Sequence, residues 1–145
     1  MTIREATAAD LDALVEMGSR FISRSVYHDK LRQNPDRMRG LATHLIDSQD
    51  GELFVADEDG RLVGMIAVIA YADHITGERT AGEVAWWVDE DHRGVGLRLL
   101  RHAEQWARTQ EATTFQMIAP TRDVEQLYEH RGYQPIERIY RLELR

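Results

Sequence analysis

The sequence contains no cysteine, which excludes a disulfide framework, a thiolate metal site and a cysteine nucleophile together. Its six histidines show no HExxH spacing, so no metal is expected. It has no run of eighteen apolar residues and no apolar stretch in MTIREATAAD, which argues against a membrane-spanning helix and a secretory signal and makes a cytoplasmic setting the expectation. Positive charge is short as well: Lys30 is the single lysine, and the formal net charge is −7. Such a balance speaks against a nucleic-acid-binding face and for neutral or cationic substrates. Repeats and low-complexity segments are missing too. What remains is 145 residues with 43% hydrophobic content, enough for one domain over 1–145 with a single core, as a monomer or a homodimer.

The most informative stretch is 83–111. Val84 to Val88 is rich in β-branched and aromatic side chains and bounded by Gly82 and Asp89, which predicts a strand. From Leu97 onward, Leu99, Leu100, Ala103, Trp106 and Ala107 recur at helical spacing. Between them His92-Arg93-Gly94-Val95-Gly96 forms a turn in which two glycines open the backbone N–H groups of a helix start. A helix N-terminus of that kind favours an anion, and Arg93, Arg98 and Arg101 add positive charge. The same glycines can equally serve a tight strand-to-helix connection. No GK[ST] follows them and the third glycine of a dinucleotide fingerprint is missing, which excludes two other phosphate-binding motifs.

The rest of the chain reads in order. Thr2-Ile3-Arg4 can form an edge strand, and Thr7 with Asp10 opens a helix whose face is Leu11, Leu14, Val15, Phe21 and Ile22. Asn34-Pro35 starts a second helix that runs to Asp47, after a polar connection from Ser23 to Gln33. Glu52–Asp57 and Arg61–Tyr71 are strands joined by Glu58-Asp59-Gly60, the second apolar enough for a central place. Thr113–Ala119 is predicted as a strand, Thr121–His130 as a helix ended by Gly132, and Ile136–Leu144 as a last strand by its alternation. Glu104 and Arg108 are spaced as an i, i+4 pair. The order predicts an α/β (α+β) three-layer domain, a mixed central sheet with helices on both faces.

Two segments in this order, the strand, Arg-Gly-x-Gly turn and helix of 84–110 and the LYEHRGY of 127–133, resemble the acetyl-CoA-binding and C-terminal motifs of the GNAT N-acetyltransferases. The resemblance extends to the order of elements over essentially the whole chain. It implies a GNAT-like fold, acetyl-CoA as cosubstrate and an amine acceptor, either a small molecule or a peptide. By the same resemblance Arg93, Gly94, Val95, Gly96, Leu97 and Arg98 hold the pyrophosphate, and Trp86 and Val88 hold the pantetheine arm and thioester through their backbone. Tyr128 matches the residue that protonates the departing thiolate, and Glu83 lies beside the strand position of a general base.

The pattern departs from the family's in one place. Counting from Arg93 puts Arg98 where Gly or Ala belongs, and counting back from Gly96 puts Asp91 where Gln or Arg belongs, a loop about two residues short. Apart from the motif, Tyr128 can also be read as a core tyrosine with a hydrogen-bonded hydroxyl, and Glu83 as a solvated carboxylate at a strand end. An acyl-CoA-binding module that keeps the fold without turnover is the alternative function. Without cysteine, transfer through an acetyl-cysteine is excluded, and direct attack in a ternary complex is expected.

Overall fold

The computed structural model describes residues 1–92 and 94–145. Its elements are β1 (Thr2–Glu5), α1 (Leu11–Ser23), α2 (Pro35–Asp47), β2 (Gly51–Glu58), β3 (Arg61–Ala72), β4 (Arg79–Val88), α3 (Val95–Thr109), β5 (Thr114–Gln116) and α4 (Arg122–His130). The strands make one sheet in the order β1-β2-β3-β4-β5, antiparallel except for the parallel β4–β5 pair. It is the mixed sheet expected. β3 lies at its centre and buries a run from Leu62 to Val68, as its nearly continuous apolar sequence requires.

Two cores cover the two faces. On one, Leu14 and Met17 of α1 and Ala42 and Leu45 of α2 pack on Leu53, Val55, Met65 and Ala67. On the other, Leu99, Leu100, Ala103 and Trp106 of α3 pack on Phe54, Val63, Ile66 and Val68, and Tyr128 of α4 joins them. Alternation along β4 sends Trp87 to the first core and Trp86 to the second.

The predicted punctuation is largely where the sequence puts it. Thr7 N–H donates to the Asp10 carboxylate at 2.8 Å in a capping box, through one turn of 3-10 helix at Ala8–Asp10 that leads into α1. Asn34 Oδ1 accepts from the Arg37 N–H at 3.1 Å, with Pro35 in the first turn of α2. Asp59 and Gly60 have φ of 52° and 90°, the left-handed pair that a two-residue hairpin needs. Gly132, at φ 89°, ends α4: its N–H reaches the Glu129 carbonyl, and the Tyr133 N–H reaches that of Tyr128.

Three expectations change. The strand predicted over Thr113–Ala119 pairs only at Thr114–Gln116, because β4 supplies partners at Thr80–Gly82 and the two strands then part. The strand predicted over Ile136–Leu144 does not form: the segment has no secondary structure and joins no ladder among the described residues, and Ile136, Ile139, Tyr140, Leu142 and Leu144 are 70–87% exposed. Alternation makes a strand possible, but a strand also needs a neighbouring edge. Glu104 turns away from the expected pairing with Arg108 and binds the end of α4 instead, accepting from Arg131 and from the Tyr133 hydroxyl, the latter at 2.9 Å.

Candidate active site

The β4–β5 parting makes the site. Register between β3 and β4 passes from Ala67 opposite Ala85 to Val68 opposite Glu83, leaving Val84 as an extra residue, a bulge that bends β4. Beyond Gly82, β4 keeps its pairing with β3 but loses β5. The backbone groups of Glu83–Val88 on the β5 side therefore have no strand partner among the described residues, and the gap between β4 and the parting β5 segment forms the cleft.

Glu83 stands at the head of that cleft. Its Oε1 accepts from the Ile118 N–H at 3.0 Å, and burial outweighs that bond, pushing its pKa up to about 7. Tyr128, 5% exposed, donates its hydroxyl to the Ile118 carbonyl at 2.9 Å. Burial first, then the charges of Glu83, Tyr133 and Tyr27, raise the Tyr128 pKa above its ordinary value. Tyr27, in the connection after α1, is raised by burial and then by Glu83, so it belongs to the same cluster. Its ring lies 5.4 Å from Phe21, which in turn lies 6.1 Å from Trp87, an aromatic wall on the α1 side.

The opposite side of the cleft is built by Trp86 and the start of α3. The Trp86 ring stacks on Tyr128 with centroids 6.1 Å apart, and its indole Nε1 is buried without a hydrogen-bond partner among the described residues. Gly94 is the N-cap of α3 and has no side chain with which to cap it. Its φ of −68° is one that any residue adopts, and a Cβ there would meet nothing within 4 Å. Neither backbone geometry nor packing within the chain requires glycine at this position. Gly96 packs against β4: a Cβ on it would lie 3.4 Å from Trp86 and 3.5 Å from Val88, in ordinary van der Waals contact.

The other predicted residues divide. Val95 and Gly96 are buried, Leu97 is half-buried, and Arg98 is exposed with its guanidinium 3.4 Å from the Met1 carbonyl. Arg93 lies outside the described residues. The cleft thus brings together Glu83, Trp86, Val88, Tyr128 and the first turn of α3. It adds Tyr27 and the peptide of Ile118, neither of which has a motif; an aromatic residue within an otherwise polar connection was the signal for Tyr27.

Residues 21–133 match the acetyltransferase (GNAT) family model. The chain belongs to that family. No curated protein matches it. Solved structures share the GNAT fold at low identity. A transcriptional regulator from Bacillus halodurans C-125 aligns with TM-score 0.81 at 21% identity, over 99% of each chain. The aminoglycoside 6'-N-acetyltransferase AAC(6')-IG from Acinetobacter haemolyticus aligns at 0.75 and 20%, over 100% of this chain and 99% of its own. AAC(6')-Iy, in complex with a CoA-linked bisubstrate analogue, aligns at 0.77 and 15%, over 99% and 97%.

Proposed function

We propose that this GNAT protein transfers acetyl from acetyl-CoA to a primary amine by direct attack in a ternary complex, as one cytoplasmic domain spanning 1–145. The observation that carries the reading is the Glu83–Ile118–Tyr128 arrangement at the head of the β4–β5 cleft: a proton acceptor and a proton donor 3.0 and 2.9 Å from the two ends of one residue.

The residues present fit coenzyme A. Among the described residues the N–H groups at the first turn of α3 have no side-chain cap and suit a pyrophosphate, Gly94 leaves room for close approach, and the buried indole N–H of Trp86 lacks an acceptor. Gly94, Val95, Gly96, Leu97 and Arg98 would hold the phosphates, Arg93 by sequence would add charge, and Trp86 and Val88 would line the arm. When bound, acetyl-CoA supplies an activated acetyl group and a thiol leaving group.

An amine reaches the site as an ammonium ion and must lose a proton before it can attack. Glu83, with its pKa near 7, can take that proton at neutral pH. Tyr128 keeps its own proton, since burial and the nearby acid raise its pKa, and can deliver it to the sulfur. Its hydroxyl must first leave the Ile118 carbonyl, a rotation about one bond. Phe21, Tyr27 and Trp87 give the acceptor side π faces suited to a cation, in keeping with the acidic chain.

The test is thiol release from acetyl-CoA across a panel of polyamines, aminoglycosides, amino acids and peptides, with the acetylated product identified by mass. Saturable binding of coenzyme A with no amine-dependent release would leave the alternative, a binding module without turnover.

A further inference from the structure

We propose that Asp89 is a positioning residue for the cofactor: held from the acceptor side by Arg20 and Trp87, it fixes the root of the loop that leads into α3. The inference rests on the reading of the first turn of α3 as the coenzyme A site.

Asp89 follows the last residue of β4, and its backbone belongs to two structures at once. Its N–H donates to the Val63 carbonyl at 2.9 Å, which extends the pairing with β3. Its carbonyl accepts from the His92 N–H at 3.0 Å, which closes one turn of 3-10 helix over Glu90–His92. Gly94, the N-cap of α3, lies just beyond that turn. A tilt of the Asp89 peptide therefore swings the turn and re-aims the first N–H groups of α3, the groups that would meet a phosphate.

The Asp89 side chain is fastened from the α1 side. Its Oδ1 accepts from Arg20 Nε at 3.1 Å and from the Trp87 indole Nε1 at 3.0 Å, and its Oδ2 accepts from Arg20 Nη2 at 3.2 Å. That side chain is 12% exposed, so the ionic fork is shielded from water as an ordinary surface pair is not. Arg20 belongs to α1, and Trp87 packs in the core beneath α1 and α2 with its ring 6.1 Å from Phe21. Helix α1 does not depend on these bonds to reach the sheet, since Leu14 and Met17 already bury against β2 and β3. What the three bonds add is a fixed direction for the residue at which β4 ends and the turn begins.

The far end of the turn has its own anchor, His92 Nε2 lying 3.1 Å from Glu58 Oε2 of β2. Loss of the Asp89 bonds thus loosens the turn at one end and leaves it tethered at the other. Cofactor affinity should then fall by about three- to tenfold rather than vanish.

The test is calorimetric titration of coenzyme A into the wild type, Asp89→Ala, Trp87→Phe and the double variant, with a thermal melt of each. Asp89→Ala should weaken coenzyme A by about tenfold, and Trp87→Phe, which puts a ring with no N–H on the acceptor wall, by about threefold. In the Asp89→Ala background Trp87→Phe should add nothing, because the indole then has no carboxylate to hold. Asp89→Asn keeps one acceptor for the indole but gives up the ionic fork, and should still weaken coenzyme A by about threefold even if the alanine variant fails to fold. Glu104→Gln is the structural control: it loosens the end of α4 and should melt lower with unchanged coenzyme A affinity. In steady-state kinetics the Asp89 variants should raise KM for acetyl-CoA and leave kcat within about twofold, since Glu83 and Tyr128 keep their places. Additive losses in the double variant, or Asp89 variants that melt lower yet bind coenzyme A as the wild type does, would overturn the proposal alone. A wild type that binds no coenzyme A would overturn the functional reading, and this inference with it.

Discussion

Glu83 and Tyr128 are joined through one residue that neither neighbours in sequence: the Ile118 N–H donates to the Glu83 carboxylate at 3.0 Å, and the Ile118 carbonyl accepts from the Tyr128 hydroxyl at 2.9 Å. The middle of β4, the segment after β5 and α4 therefore share a single polar point where β4 and β5 part. In the proposed reaction the carboxylate raised by burial would be the base and the phenol held protonated by the same burial the acid.

Tyr128→Phe keeps the ring, its stack on Trp86 and its place in the core. Loss of a positioned acid should lower kcat by about 10²–10⁴-fold, with coenzyme A affinity nearly unchanged. One hydrogen bond to the Ile118 carbonyl is lost as well, so stability should fall by about 1 kcal/mol. Steady-state kinetics with a thermal melt of the same preparation check both; turnover within threefold of wild type would leave Tyr128 a core tyrosine.

Glu83→Gln retains an acceptor for the Ile118 N–H but cannot take a proton. In the wild type, kcat/KM should climb tenfold per pH unit below about 7 and level above it. The variant should lose that limb together with most of its rate. Stability should move the other way. Because the folded protein binds the Glu83 proton more tightly than the unfolded chain, folding becomes less favourable as pH rises from about 4.5 to about 7. Removing the charge should recover about 1–3 kcal/mol above that window and little below it. Melting temperatures of the two proteins at about pH 5 and pH 8 measure the difference, and an equal gap at both would refute the buried charge.

Much of this arrangement could be read from the chain. Helix starts at Thr7 and Asn34, the Asp59-Gly60 hairpin and the Gly132 stop rest on local backbone chemistry, which a sequence carries openly. Glu83, Trp86, Val88, Tyr128 and the first turn of α3 are legible because a glycine turn and the LYEHRGY motif bear on those positions. Tyr27 carries no motif, and Ile118 contributes through its backbone, where every residue has the same N–H and C=O. The bulge at Val84 likewise has no composition, only a register. Residues 136–144 do not form the expected strand for a different reason: a period of two describes a segment, while pairing depends on an edge elsewhere.

Glu104 offers a stability test remote from the cleft. It sits on α3, and its bonds to Arg131 and Tyr133 fasten the end of α4. Burial works to raise its pKa, but the hydrogen bonds from Arg131 and Tyr133 prevail and leave it lowered. Its contribution is therefore present at neutral pH and is lost as pH falls through the lowered value. Glu104→Gln should destabilise by about 1–3 kcal/mol at pH 7, with the gap narrowing in acid. Urea melts at several pH values give the comparison. A gap independent of pH would show that shape rather than charge holds α4.

The last test separates cofactor binding from folding. A side chain at Gly94 meets nothing within 4 Å, and the backbone there has an ordinary helical φ, so Gly94→Val should melt close to wild type. If the first turn of α3 holds the pyrophosphate, the branched side chain should block close approach and weaken coenzyme A by at least about tenfold, or 1.4 kcal/mol. Gly60→Val is the contrasting control. At φ 90° it forces a β-branched residue into the left-handed region and should cost stability, while coenzyme A affinity of the folded fraction stays unchanged. Calorimetric titration with coenzyme A and thermal melts of both variants decide the matter. Wild-type affinity in Gly94→Val would move the phosphate site away from the start of α3, and with it the role proposed for Val95 to Arg98.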